Sequence, residues 1–293
     1  MKRLKFIIIY PIIWVFSRLP FFILHRISDF AYFIIYYIFN YRKEVVFENL
    51  KHTFPEKSNK EIKLIRKKFF QHFTDIFIES IKSFTISEKE LNKRYVYKNP
   101  DVLKTIEKSG KSVILMGSHY ANWEWIINLC SNTNLKCVGV YKRLSNPLFD
   151  KIVKKNRARF GGHFITTNDT IKSIIRDKQN RTPALYGLLS DQSPMLHKTH
   201  HWSTFLNNKL PIHTGAEMLA KKHDFTVLHM SVNKTKRSHY TVDLDILTEN
   251  PREFADYEIT DEFIKRTEKQ IREQPEFYFW THKRFKHKDK APQ

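Results

Sequence analysis

His119 and Glu124 stand five residues apart in the stretch GSHYANWEW (117–125), directly after the apolar run Val113, Ile114, Leu115 and Met116. A neutral imidazole can take a proton from a hydroxyl, and a carboxylate can fix which ring nitrogen carries the proton that remains. On one continuous helix, residues five apart point about 140° away from each other. The pair can meet only if the histidine sits on a loop. Gly117 and Ser118 free the backbone to turn after a strand, and Asn122 is a good N-cap for a helix beginning at Trp123. Glu124 then lies in the first turn, where the helix dipole favours its ionised form. The spacing thus predicts an imidazole at the carboxyl end of a strand, where open α/β sheets bind ligands, with Glu124 able to orient it. The bland alternative is a surface histidine satisfied by its Asn and Glu neighbours.

The elements needed to hold such a loop are legible downstream of residue 110. Short apolar runs at 112–116, 136–141, 163–167, 184–189, 225–232 and 240–247 predict strands. Amphipathic segments at 123–130, 147–160, 170–178 and 214–222 predict helices between most of them. This alternation predicts an α/β fold with a mainly parallel central sheet flanked by helices. Asp191 follows the run 184–189, so it is either a site residue or a turn cap ahead of Pro194. Gln192 beside it is a weaker candidate. Arg157 and Arg159 close a basic segment containing Lys151, Lys154 and Lys155, while Lys142 and Arg143 lie just past a strand end. By residue type alone a solvated helix face is the commoner reading of such a run, with anion binding as the alternative.

Residues 41–87 read as helical and strongly basic. The stripe Phe69, Phe70, Phe73, Ile76, Phe77, Ser80 and Ile81 is expected in the core. In TFPEKSNKE (53–61), Pro55 closes one helix and Ser58 or Asn59 caps the next. The first forty residues carry an apolar run at 6–16 interrupted by Pro11, a shorter one at 21–24, a polar knot of His25, Arg26, Ser28 and Asp29, and a further run at 30–39. No uninterrupted run reaches the ~20 residues a bilayer span requires. Residues 4–24 make one marginal span if Arg18 is tolerated. Lys2, Arg3 and Lys5 precede the apolar stretch as in a signal peptide, but no small-residue cleavage site follows. The segment 1–40 is therefore expected to be an uncleaved anchor, either one span or helices lying in the membrane interface. A buried helical hairpin of a soluble protein is the alternative. Residues 41–293 form the remaining domain: a helical part at about 41–110, an α/β core at about 111–286 and a basic tail.

The net charge of +21 calls for an anionic partner: nucleic acid, anionic lipid or an acidic protein. Most aromatic residues sit in apolar runs rather than between basic ones, which sets a nucleic-acid-binding protein low. Cys130 and Cys137 are too few for a disulfide scaffold or a metal knuckle, and they suit a reducing compartment. HKTHH (197–201) has no cysteine or carboxylate close by and reads as a polar loop, so neither metal nor cofactor is expected.

GSHYANWEW also resembles the signature of membrane acyltransferases that carry a histidine, four residues, then an acidic residue. Its Asn-Trp-Glu version is similar to the late acyltransferases of lipid A biosynthesis. The likeness continues in YRKEVVFENLKHTFPE (41–56), through Arg42, Asn49, Phe54 and Pro55. It continues in YKRLSNPLFDKIVKKNRARFGG (141–162), through Asn146, Pro147, Arg157 and Gly161, and in GLLSDQSP (187–194) and YFWTHKRFK (278–286). One stretch departs: where many members have Phe-Phe-Gly, this chain reads HHWSTFLNNKLP (200–211), with Trp202 and Phe205.

The resemblance implies a glycerol-3-phosphate acyltransferase-like fold. It implies transfer of a fatty acyl group from a thioester, usually acyl carrier protein, to a hydroxyl of a lipid A precursor. His119 would be the general base and Glu124 would hold its tautomer. Asn122, Arg157, Arg159, Asp191, Lys142 and Arg143 would bind substrate, and loop amides or Arg157 would stabilise the oxyanion. The partners implied are the carrier protein, an anionic glycolipid and the membrane, with the catalytic domain on the cytoplasmic face of a bacterial inner membrane. A lysophospholipid or aminolipid O-acyltransferase with the same dyad is the nearest alternative.

Overall fold

The structure, a computed structural model, describes residues 2–292, with side chains from Phe6 onward. Helices α1 (Lys2–Arg18) and α2 (Phe21–Phe33) are separated at Leu19 and Pro20. Pro20 has no N–H to continue the first helix, and its φ of −66° suits the residue just ahead of the second. The marginal span over 4–24 is therefore broken into two helices. Instead, α2 runs on through a π turn at Ile34–Ile38, and Phe21–Ile38 is long and apolar enough to cross a membrane. Three residues of the polar knot bond to the domain, while Arg26 is exposed. His25 Nε2 lies 2.8 Å from Ser238 Oγ, Ser28 Oγ donates to Asp75 Oδ1 at 2.8 Å, and Asp29 pairs with Arg237 at 2.7 Å.

Helices α3 (Lys43–Thr53) and α4 (Asn59–Lys82) follow. Ser58 caps α4 in a reciprocal box with Glu61, as TFPEKSNKE suggested. α4 packs against α1, α2 and α3, which accounts for its burial on more than one side. Phe77, expected in the core, is 56% exposed and packs edge-on against Phe73, with ring centroids 4.9 Å apart. Then come α5 (Glu88–Arg94), the three-residue strand β1 (Tyr95–Tyr97) and α6 (Asp101–Ser109). A strand of three residues is too short to show alternation.

The remaining strands are β2 (Val113–Gly117), β3 (Lys136–Tyr141), β4 (His163–Thr166), β5 (Ala184–Leu189), β6 (His201–Phe205), β7 (Asn208–Ile212), β8 (Thr226–Lys236) and β9 (His239–Thr248). Helices α7 (Pro147–Arg157), α8 (Thr170–Gln179) and α9 (Gly215–His223) lie between them, and α10 (Glu258–Glu273) follows. Seven strands form one sheet in the order β1-β9-β8-β2-β5-β3-β4. Every neighbouring pair is parallel except β8 with β9, which a tight turn joins as a hairpin. All five residues of β2 are buried, as an apolar run without alternation demands of a central parallel strand. The departing stretch 200–211 folds largely into the separate β6–β7 hairpin. The helix expected at 123–130 is present as a 3-10 helix, Trp123–Ser131.

Candidate active site

β2 and β5 are parallel neighbours with Gly117 opposite Leu189, and the Ser190 amide donates to the Gly117 carbonyl at 3.0 Å. The residues two beyond each strand end are His119 and Asp191. Their side chains meet: His119 Nδ1 lies 2.7 Å from Asp191 Oδ1, and the His119 amide donates to the same oxygen at 3.1 Å. A neutral ring that donates through Nδ1 leaves its lone pair on Nε2. Gln192 Nε2 lies 3.4 Å from that nitrogen.

Asp191 is fully buried, whereas the His119 side chain keeps 19% of its surface. The second carboxylate oxygen accepts from Tyr278 Oη at 3.0 Å and from Arg284 Nη2 at 3.3 Å. Arg284 also donates to the Asp191 carbonyl and to Tyr278 Oη. Burial alone would push the Asp191 carboxyl up, but the His119 ring and amide and the Arg284 guanidinium outweigh it and hold it well below the usual carboxylate range. Burial pushes the Tyr278 phenol well above its ordinary value, so it remains a donor to Asp191.

The histidine loop is held from outside by the closing segment of the chain. Phe279 N donates to His119 O at 3.0 Å and Ala121 N to Phe277 O at 2.9 Å, so Tyr120 and Tyr278 form an isolated antiparallel bridge. Ala121 has a φ of 49°, a left-handed conformation that costs a residue with a Cβ and persists here under those bonds. Asn122 caps the following helix as expected, its Oδ1 accepting from Trp125 N at 3.1 Å. Trp123 and Phe279 flank the imidazole, with ring centroids 5.2 and 6.0 Å from it.

Among the described residues, Glu124 is hydrogen-bonded to Arg157 and not to His119. Its carboxylate takes both prongs of the Arg157 guanidinium, Nε at 3.0 Å and Nη2 at 2.6 Å. The helix after Asn122 carries Glu124 away from Asp191, and the guanidinium fork satisfies both carboxylate oxygens. Arg157 is thereby engaged with protein rather than brought to the imidazole. Arg159 is likewise engaged, donating to the Ser83 and Ile86 carbonyls. Lys142 and Arg143 are exposed just past the carboxyl end of β3, on the same edge of the sheet as His119. His201 of the HKTHH stretch lies 2.8 Å from Asp261 and stacks on Tyr257.

The family model described as "Bacterial lipid A biosynthesis acyltransferase" matches residues 3–287. The chain belongs to that family. It is similar to "Lipid A biosynthesis acyltransferase 2" of Shigella flexneri, with 24% identity over 128 residues, 44% of this chain. The match spans 41% of that relative's length.

Within this lipid A acyltransferase family chain, Tyr278 and Arg284 gave no signal of their own beyond membership of the closing block YFWTHKRFK. Only the fold brings that block beside the histidine loop, 150 or more residues earlier in the chain. Their contact with Asp191 depends on it.

Proposed function

We propose that the protein is an O-acyltransferase that moves a fatty acyl chain from an acyl thioester, carried by acyl carrier protein, to a hydroxyl of a lipid A precursor. The observation that carries this reading is the His119–Asp191 pair at the carboxyl ends of adjacent strands, with Nε2 turned towards the side-chain amide of Gln192. The acceptor hydroxyl would take the place of the Gln192 amide at Nε2. As its oxygen attacks the thioester carbonyl carbon, His119 takes its proton, and the carbonyl oxygen becomes the tetrahedral oxyanion. Collapse breaks the C–S bond, and the imidazolium returns its proton to the leaving thiolate. Asp191, ionised and held by Arg284 and Tyr278, keeps the ring in the required tautomer and stabilises the transient imidazolium. No acyl-enzyme is needed.

The formal charge of +21 suits an acidic carrier protein and a phosphorylated glycolipid. Purified enzyme in detergent, given acyl carrier protein thioesters and a lipid A precursor, is expected to add one acyl chain per acceptor by mass spectrometry and to release carrier thiol. Transfer to lysophospholipid or ornithine-type lipid alone would replace this acceptor with the alternative one.

The N-terminal helices are read as lying in the interface rather than spanning. A span must show lipid an apolar surface all round, yet one side of α2 holds His25, Ser28 and Asp29 in bonds to Ser238, Asp75 and Arg237. The same helix also exposes Phe22, Phe30 and Phe33, its π-turn continuation exposes Ile38, and α1 exposes Ile8, Ile12 and Val15. A tag at the amino terminus is expected on the same, cytoplasmic side as the catalytic domain. Phe30→Ser with Phe33→Ser is expected to weaken flotation with anionic vesicles by about 10-fold or more, since each buried aromatic contributes about 1.5–3 kcal/mol. A periplasmic tag would establish a span instead.

A further inference from the structure

Beneath the histidine loop lies a buried carboxylate that the proposed chemistry does not use. Glu79, on α4, is 1% exposed. Its Oε2 accepts from Asn122 Nδ2 at 2.5 Å and from Tyr240 Oη at 2.8 Å, and its Oε1 accepts from Ser238 Oγ at 2.7 Å. Its backbone carbonyl accepts from Trp125 Nε1 at 3.3 Å. Asn122 is thus gripped at both ends of its amide: Nδ2 by Glu79, and Oδ1 by the Trp125 N–H that it caps.

We infer that Glu79 is a positioning residue for the active centre, holding Asn122 and, through it, the strained turn that carries His119. The turn needs such a hold, because Ala121 immediately before Asn122 stays at a positive φ only while both its neighbours are fixed. On the outer side the fixing comes from Phe277 and Phe279. On the inner side it comes from Glu79. The same carboxylate also ends a line of contacts that begins at His25 on α2, passes Ser238 and so ties the lipid-facing helix to the catalytic turn.

Burial pushes the Glu79 carboxyl up to about 7, in spite of Lys234 and the Ser238 and Tyr240 hydroxyls, and nearby Asp75 adds to the rise. A neutral glutamine therefore suits the site. Its oxygen can replace Oε2 towards Asn122 and Tyr240, while its amide donates to Ser238 Oγ.

The inference rests on the acyl-transfer reading for its kinetic arm only. Glu79→Ala is expected to lower kcat 10- to 100-fold with both KM values within twofold, because a misplacement of about 1 Å costs a base about 10²-fold. Glu79→Gln should recover kcat to within threefold of the parent enzyme. Glu79→Ala combined with Asn122→Ala should be no slower than the slower single variant, as for groups acting in series. In the proton NMR spectrum, the His119 Nδ1 signal should shift or broaden in Glu79→Ala and stay in place in Glu79→Gln. If the alanine variant does not fold, Glu79→Met fills the space without an acceptor and carries the same expectations. An unchanged kcat per folded molecule with an unmoved His119 signal would overturn the inference, as would multiplying effects in the double variant. A parent enzyme that transfers no acyl group, but whose His119 signal responds to Glu79, would remove the acyl-transfer reading and support this one.

Discussion

His119→Ala is expected to lower kcat by about 10³-fold or more while leaving both KM values within about threefold. In the proposed reaction the acceptor alcohol is a poor nucleophile at neutral pH, and His119 Nε2 would serve as its base. The ring is partly open, and without it Asp191 still accepts from the His119 amide, Tyr278 and Arg284, so the sheet and its binding surfaces are expected to stay intact. Steady-state kinetics on the purified variant, with circular dichroism to check folding, make the measurement. A variant retaining a tenth of the parent turnover would exclude His119 as the base.

Asp191→Asn is expected to lower kcat by about 10³-fold, against less than 10-fold for Glu124→Gln. A neutral amide at 191 can present its NH2 to Nδ1 and so favour the tautomer with the proton on Nε2, where no base remains. Glu124 is joined to Arg157 instead, and its loss acts on the helix rather than on the ring. The ranking separates the two carboxylates by a simple comparison of rates, and the reverse order would sink the assignment of Asp191. Stability should change as well. Asp191 and Arg284 are both buried, and neutralising one partner leaves the other uncompensated, at a cost of about 3–5 kcal/mol. The Asp191 carboxyl is depressed in the folded state, so its stabilising contribution is complete above the unfolded value of about 3.9 and is lost as pH falls through the lower folded value. The gap in denaturation midpoint between parent and variant should therefore be constant from neutral pH down to about 4 and narrow below it.

Much of the α/β core was legible in the order of residues. The apolar runs at 136–141 and 184–189 coincide with β3 and β5, and the other four expected strands appear with ends moved by at most four residues. Buried parallel strands leave this trace because every side chain along them is apolar, whichever face it takes. The histidine loop was legible too, since Gly117, Ser118 and the Asn122 cap are local devices that act within a few residues of one another. β1 and the β6–β7 hairpin were not, because three- to five-residue strands containing polar residues carry little periodic signal. α10 escaped although its apolar positions Ile259, Phe263, Ile264 and Ile271 follow a helical period.

What the order of residues could not decide was the partner of the imidazole. A carboxylate five residues along and another 72 residues along are equal candidates until the strands are paired, and sequence proximity favoured Glu124. Pairing β2 with β5 in register places Gly117 beside Leu189, which turns a long separation in sequence into a contact of 2.7 Å between His119 and Asp191. Helix handedness meanwhile turns Glu124 towards Arg157. The chemical types of the site are thus local properties of the chain. Which of them touch is set by strand register and by the closing segment folding back over the loop, both of which depend on non-local packing.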